Sequence, residues 1–114
     1  MISRTIPSWP VSIFIAGDYD QARAICREFC DEAGLCVTVT ATCYVYTGGE
    51  EAGVIIGLIN YPRFPSGSTE ISAKAFRLAA LLCEGLGQQS YSIQTPDATT
   101  WHSHRPEDNE GSAA

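Results

Sequence analysis

The sequence predicts a single α+β domain in which one face of an antiparallel sheet is covered by two helices. Three observations lead to this prediction. Two segments have apolar residues at helical spacing, one long segment alternates strictly between apolar and other residues, and short β-branched segments bounded by Gly or Pro lie around them. The predicted order of elements is therefore strand, helix, hairpin, helix, hairpin.

The chain begins with an irregular lead-in and a short strand. Residues 1–10 contain two prolines and show no periodicity, so we predict a lead-in without secondary structure, which Trp9 can fix to the body. Val11 to Ala16 is rich in apolar and β-branched residues, which predicts the first strand. Gly17 ends that strand.

The first helix is predicted to begin at Tyr19. Asp18, with Gln21 three positions later, resembles a capping box in which the Asp side chain accepts hydrogen bonds from the first helix amides. Gly34 supplies the left-handed residue that commonly ends a helix. The apolar residues follow helical spacing and predict one buried face, formed by Ala22, Ile25, Cys26, Phe29, Cys30 and Ala33.

A long hairpin follows this helix. Residues alternate strictly from Cys36 to Thr47, which indicates a strand. One face of that strand contains Val37, Val39, Ala41, Cys43 and Val45, and the other contains Thr38, Thr40, Thr42, Tyr44 and Tyr46. Residues 47–51 are predicted to form the turn, and the apolar segment from Gly53 to Tyr61 the inner second strand.

The second helix is predicted over Thr69 to Leu86, after a loop that contains Pro62 and Pro65. Its apolar residues cover a wider arc than contact with one sheet face requires. Phe76, Leu81 and Cys83 widen this arc. We therefore predict that part of this helix contacts a partner chain.

Two short strands, Tyr91 to Thr95 and Thr99 to His104, complete the predicted domain over residues 11–104. With the earlier elements they predict a ferredoxin-like, split βαβ fold (βαββαβ) with an extra C-terminal strand. Residues 105–114 are rich in acidic and small residues, and we predict a disordered acidic tail there.

Composition excludes several classes of protein. The chain has 114 residues, 45% hydrophobic and 18% charged, which suffices for a packed core without disulfides or metals. Thirteen acidic and seven basic residues give a net charge of −6, which disfavours a nucleic-acid polymer as partner. Because no segment is apolar enough for a signal sequence or a bilayer span, we predict a cytoplasmic protein without a membrane partner.

The second face of the sheet is predicted to stay open if the helices cover the valine face. Threonines on this face would be solvated, but Tyr44 and Tyr46, beside Ile55, Ile59 or Tyr61, make it partly apolar. Surfaces of this kind occur in oligomer interfaces and ligand sites. We therefore predict a homo-oligomer.

The segment from Asn60 to Pro65 is the strongest candidate for a binding site. Two prolines stiffen a loop that places Arg63 between Tyr61 and Phe64. A guanidinium can bind a phosphate while an aromatic ring stacks on a base. In the alternative interpretation the rings lie in the core and Arg63 pairs with a surface acid.

Other reactive residues favour structural roles. The chain has five cysteines and no Cys-x-x-Cys pair, and Cys26 and Cys30 lie on the predicted buried helix face. His102 and His104 alternate on a terminal strand, but no third metal ligand is evident. Neither a phosphate-binding Gly-Lys-Ser/Thr motif nor a dinucleotide-binding glycine motif occurs. We therefore predict no metal, no cofactor and no enzymatic activity.

Three segments resemble a group of short phage and prophage proteins and also the Thoeris anti-defence sponges. They are Gly34–Val39, Tyr46–Gly53 and Leu58–Pro65, about the middle third of the chain. Sponges of that family sequester cyclic ADP-ribose-type signals or cyclic oligonucleotides in pockets between subunits without cleaving them. The resemblance implies ligand contacts by Arg63 and the aromatic residues around it, with Arg105 or a second subunit closing the pocket.

The sequence and this resemblance together predict a non-enzymatic phage protein that binds a small nucleotide-derived immune signal. The predicted ligand-binding residues are Asn60, Tyr61, Arg63, Phe64, Tyr46 and Arg105. The alternative is a protein-interaction module that inhibits a host protein through its open sheet face or an exposed strand edge. A third, less favoured hypothesis is a small enzyme of the dimeric ferredoxin-like type, which would require a general acid or base in a cleft, whereas the histidines are peripheral.

Overall fold

The structure, a computed structural model, describes residues 1–112, with the side chains of residues 110–112 excepted. No secondary structure forms in residues 1–10, as predicted. The elements follow the predicted order, and one helix is added at the end. They are β1 (Val11–Ala16), α1 (Tyr19–Ala33), β2 (Thr38–Tyr46), β3 (Gly49–Leu58), α2 (Ser68–Gly85), β4 (Ser90–Gln94), β5 (Thr99–Ser103) and α3 (Pro106–Ser112).

The five strands form one sheet in the order β2-β3-β1-β4-β5, and each neighbouring pair is antiparallel. The first four strands have the ferredoxin-like order, and β5 is added at the edge next to β4. Both long helices pack on one face of this sheet. The predicted α+β fold class, with its extra C-terminal strand, is therefore confirmed.

The core lies between this sheet face and the two long helices. Alternate residues of β1 point into it, and Val11, Ile13 and Ile15 are at most 2% exposed. Each such side chain contributes about 1.5–3 kcal/mol on burial. The other buried core residues in the strands and helices are Val54, Ile56, Leu58, Ile93, Tyr91, Ala22, Cys26, Phe29, Ile71, Ala75, Leu78, Ala79, Leu82 and Cys83.

Helix α1 begins and ends where the sequence predicts. Asp18 Oδ2 accepts a hydrogen bond from the Gln21 amide at 3.0 Å, and Gly34 adopts a left-handed φ of 68°. Gly34 then donates its amide to the Cys30 carbonyl at 3.0 Å, which closes the last turn. Cys26 lies on the buried face, and burial raises the pKa of its thiol to about 12.

The β2–β3 hairpin differs from the prediction in its turn and in its length. Its turn is only Thr47-Gly48, because Tyr46 pairs with Gly49 and Gly48 supplies the positive φ of 93°. Since β1 pairs with β3 only through Gly53–Leu58, residues 43–52 extend past β1 as a two-stranded hairpin arm. Val45 on this arm is therefore 75% exposed, and the helices cover only the Val37 end of the valine face.

Tyr44 joins the hairpin to the end of β1 from the open face of the sheet. Its hydroxyl accepts the Ile15 amide at 3.1 Å and donates to the Val54 carbonyl at 2.5 Å. Gly53 is required beneath its ring, because a Cβ at that position would lie 2.3 Å from Tyr44 Cε2. Burial raises the pKa of this phenol. Tyr44 therefore has a structural role.

The C-terminal segment also differs from the prediction. Instead of a disordered tail from residue 105, α3 spans Pro106–Ser112. Pro106 suits the first helical position, and Glu107 and Asp108 in the first turn complement the helix dipole. Ser103 donates its hydroxyl to Asp108, which links α3 to β5. The rest of the predicted tail, residues 113–114, lies outside the described residues.

The length and composition of the helices decide whether any of them can span a bilayer. Over residues 1–112, none of them combines the length and the apolar character needed to cross a bilayer.

Candidate functional site

Four segments meet at one end of the sheet, where β1 begins. Val11 pairs with Leu58, so the lead-in before β1 and the loop after β3 lie at the same edge. Ser12 pairs with Gln94, which adds the β4–β5 turn to this edge. Helix α2 begins there as well, because it follows the loop after β3.

The buried amide of Asn60 holds the lead-in against the loop after β3. Asn60 is 7% exposed; its Nδ2 donates to the Pro7 carbonyl at 2.8 Å, and its Oδ1 accepts the Ser66 amide at 2.9 Å. Trp9 Nε1 donates to the Ser66 carbonyl at 3.1 Å. Because residues 1–10 form no secondary structure, these side-chain bonds position Trp9.

A cleft of about 610 Å³ lies between this lead-in, the first turns of α2 and the β4–β5 turn. Its size is that of a small-molecule site, and it combines aromatic rings with a few polar groups. It is lined by Ser8, Trp9, Ser68, Thr69, Ser72, Ala73, Phe76, Thr95, Pro96 and Asp97.

The start of α2 adds unpaired backbone donors to this cleft. Gly67 is the N-cap residue and has no side chain to bond the first amides of the helix. The amides and the partial positive charge of this helix end therefore favour a negatively charged group near Ser68 and Thr69.

Asp97 is the acidic group of the cleft, and its backbone is fixed by a tight turn. Thr95 donates its amide to the Ala98 carbonyl at 2.8 Å, and Thr95 Oγ1 accepts the Asp97 amide at 3.4 Å. Within the described residues, no Lys, Arg or His pairs with the Asp97 carboxylate. This carboxylate is exposed and free to accept hydrogen bonds from a ligand.

The predicted binding loop is partly exposed, and its residues have different surroundings. Asn60 is buried, and its two hydrogen bonds to Pro7 and Ser66 form a clamp between the lead-in and the loop. The rings of Tyr61 and Phe64 contact each other, with centroids 5.4 Å apart, and Phe64 is 52% exposed. A hydrogen bond with Cys36, and then burial, raise the pKa of Tyr61. The rings thus pack on each other and do not flank the guanidinium of Arg63.

Arg63 is exposed and has no ion-pair partner within the part of the chain that the structure describes. It lines a small cleft of about 290 Å³ with Ile2, Arg4 and Pro62. Arg4 donates from Nη1 to the Pro62 carbonyl at 2.9 Å, which places a second guanidinium beside the loop. The alternative in which Arg63 pairs with a surface acid is therefore not observed.

Tyr46 and Arg105 lie at the opposite end of the sheet. Tyr46 is at the tip of the hairpin arm, and Arg105 follows β5, whose last residue pairs with Ser90 at the start of β4. Arg105 Nη1 lies 3.8 Å from Asp108 Oδ2. Within one chain, the structure therefore separates the six predicted ligand-binding residues into two groups, and their role stays a prediction.

The histidines show no metal site. His102 packs against Tyr91 and Phe76, with ring centroids 5.2 and 5.7 Å away. Across the described residues, no group of three or more His, Cys, Asp or Glu side chains could hold a metal ion.

Sequence reasoning missed most of the cleft residues. Trp9 was expected to fix the lead-in, and Phe76 to widen the apolar arc of α2, but neither was assigned to a site. The one available signal is the run Ser66-Gly67-Ser68-Thr69, in which a glycine stands where a capping side chain is usual.

No protein-family model matches the chain, and no curated protein matches it. Two solved structures of a phage SAM lyase share its fold. The structure in complex with S-methyl-5'-thioadenosine is 11% identical, has a TM-score of 0.60, and the match covers 90% of this chain and 95% of that chain. The structure in the apo state is 15% identical, has a TM-score of 0.63, and covers 92% and 97%.

These comparisons contradict the prediction that the chain has no enzymatic activity, because both of these structures, which share its fold over nearly its whole length, are of an enzyme. Because the sequence identities are low, the structural similarity shows a shared fold and no more. Both neighbours are phage proteins, and one holds a small adenosine-containing ligand. The resemblance to Thoeris sponges is left untested by these matches.

The clamp at Asn60 leads to a prediction about stability. Asn60→Ala removes both hydrogen bonds and leaves the Ser66 amide and the Pro7 carbonyl unpaired, so we expect the free energy of unfolding to fall by about 2–3 kcal/mol. Denaturant unfolding measures this change. The control Gln89→Ala alters an exposed amide side chain and should change stability by less than about 0.5 kcal/mol. Equal stability of Asn60→Ala and the unaltered protein would rule out the clamp.

Proposed function

We propose that this protein is an enzyme that binds S-adenosylmethionine (SAM) in the cleft between Trp9, Phe76 and Asp97 and cleaves it in a lyase reaction. The main support is the fold, which matches a phage SAM lyase over nine-tenths of the chain. The cleft supports it independently, because its size and its mix of rings and polar groups suit an adenosine-containing ligand.

The charge of the chain favours SAM over an anionic nucleotide. The net charge is −6, so the field of the protein attracts cations and repels polyanions. SAM has a sulfonium and an ammonium group against a single carboxylate, and is a net cation. A cyclic oligonucleotide has only negative phosphates and would need a local basic surface to overcome the repulsion.

Each part of SAM has a matching group in the cleft. The rings of Trp9 and Phe76 provide apolar surfaces for the adenine. The Asp97 carboxylate can accept hydrogen bonds from the ribose hydroxyls, the contact that an acidic residue makes in many nucleotide sites. The uncapped start of α2, at Ser68 and Thr69, suits the carboxylate of the amino-acid chain.

The proposed reaction breaks the bond between the sulfonium sulfur and the Cγ of the amino-acid chain. Both bonding electrons pass to sulfur, which leaves as the neutral thioether of S-methyl-5'-thioadenosine. As that bond breaks, the carboxylate oxygen of the same chain forms a bond to Cγ, so the four-carbon fragment leaves as homoserine lactone with its ammonium group, and no water is added. The cleft residues Trp9 and Phe76 would favour this outcome by excluding water, since the sulfonium charge is lost as the bond breaks.

A direct assay tests this proposal. We expect the purified protein to convert SAM to S-methyl-5'-thioadenosine, measured by liquid chromatography and mass spectrometry. Asp97→Asn weakens the contacts to the ribose, so kcat/KM should fall about tenfold or more, equivalent to about 1.4 kcal/mol. The control Asp31→Asn makes the same charge change on the exposed surface of α1 and should leave kcat/KM unchanged.

Two results would contradict the proposal. The first is the absence of S-methyl-5'-thioadenosine after prolonged incubation of the folded protein with SAM. The second is equal activity of Asp97→Asn and Asp31→Asn, which would place the reaction outside this cleft.

A second candidate function is the binding of an anionic nucleotide by Arg4 and Arg63, the role that the resemblance to sponges implies. The observation that favours it is the small cleft at the loop, where two guanidinium groups lie near each other. Such a pair can bind a phosphate through charge-assisted hydrogen bonds.

Calorimetry with cyclic ADP-ribose tests the second candidate. Arg63→Ala removes a phosphate-binding guanidinium, so we expect the dissociation constant to rise about tenfold or more. Arg27→Ala is the matched control, because Arg27 is exposed on α1 and does not line the small cleft. An identical dissociation constant for both variants, or no binding by the unaltered protein, would reject this function.

The predicted homo-oligomer stays a prediction. It is supported by the hairpin arm, on which Val45 is 75% and Tyr46 54% exposed. A two-stranded hairpin without further contacts is only marginally stable in water, and a second copy would cover its apolar residues.

A further inference from the structure

A second surface, lined by residues that do not line the cleft, lies between the two long helices. Helices α1 and α2 follow strands that are antiparallel to each other, so the helices also run in opposite directions across the sheet. Between them is a groove of about 380 Å³. Its apolar lining, the floor of the groove, is Ile25, Phe29 and Leu81. Ile25 packs against Gly85, where a Cβ would lie 2.6 Å from Ile25 Cδ1, and the Arg77 guanidinium lies over the buried Phe29 ring, 5.3 Å from its centroid.

The floor of this groove exposes an apolar side chain that the core does not use. Leu81 is 47% exposed, whereas Leu78 and Leu82 on the same helix are fully buried. This exposure accounts for the excess width of the apolar arc of α2. A leucine in a groove beside Phe29 and Ile25 gains free energy if another apolar side chain covers it.

The rim of the groove is acidic on both sides. Glu28 and Glu32 of α1 line one side, and Glu84 of α2 lines the other. None of these three carboxylates has an ion-pair partner within residues 1–109, although acids elsewhere on the surface do. The last turn of α2 contains no basic residue, so the negative end of its helix dipole adds to this potential.

We propose that this groove binds a basic amphipathic helix of another protein. Apolar side chains at i and i+4 of that helix would contact the exposed Leu81 and the half-buried Ile25. Lys or Arg side chains beside them would pair with the three glutamates. A second copy of this chain fits less well, because each copy has a net charge of −6 and the groove is itself acidic. The inference is independent of the reaction proposed above.

A synthetic peptide with leucines at helical spacing on one face and lysines on the others is the probe, and fluorescence anisotropy measures its binding. A peptide of equal composition but scrambled order is its control. We expect the amphipathic peptide to bind, and its affinity to fall about tenfold on Leu81→Ala, which removes an exposed side chain and leaves the buried core intact.

Charge-reversal variants distinguish binding in the groove from unspecific electrostatic attraction to the acidic protein. Glu28→Lys and Asp31→Lys change the net charge equally and lie on the same helix, but only Glu28 lines the groove. We expect at least a tenfold loss of affinity for Glu28→Lys and less than a twofold change for Asp31→Lys.

Three outcomes would overturn the inference. Equal losses for the two charge variants would indicate unspecific attraction, and unchanged binding by Leu81→Ala would exclude the apolar floor. Self-association that Glu28→Lys and Leu81→Ala abolish, together with no binding of the peptide, would make the groove an interface between copies of this chain.

Discussion

The structure of the candidate site depends on one buried side-chain amide. Asn60 is bonded on one side to the lead-in and on the other to the segment that leads into α2. The lead-in has no backbone hydrogen-bonding pattern of its own, so it can hold a fixed position only through such bonds and through the packing of Trp9. Without the clamp, one wall of the cleft would lose its support, although the core beneath it would not change.

The sequence predicted the bounds of a helix or strand correctly where adjacent residues alone determine them. The cap at Asp18, the left-handed Gly34 and the bounds of β1 are all determined by adjacent residues. The hairpin arm could not be predicted, because its length depends on how many residues of β3 pair with β1, and β1 is distant from β3 in the sequence. The cleft was missed for the same reason, since Trp9, Phe76 and Asp97 come from distant segments that only the folded sheet brings together.

The mistaken prediction of a non-enzyme has a chemical cause. The sequence contains no nucleophile, paired carboxylates, metal ligands or phosphate-binding glycines in a pattern that indicates catalysis. A sulfonium substrate already contains a good leaving group, so its cleavage depends more on binding, orientation and exclusion of water than on such residues. The absence of familiar catalytic motifs is therefore weak evidence against catalysis, and the acidic charge supports the proposal of a cationic ligand.

The proposed location of an adenosine site in the cleft is tested most directly by a titration followed by amide NMR. On addition of S-methyl-5'-thioadenosine to the isotope-labelled protein, the account predicts shifts of the Trp9 indole N–H and of the amides of Ser68, Thr69 and Asp97. Shifts confined to residues 61–64 or to the hairpin arm, with the Trp9 signal unmoved, would contradict it.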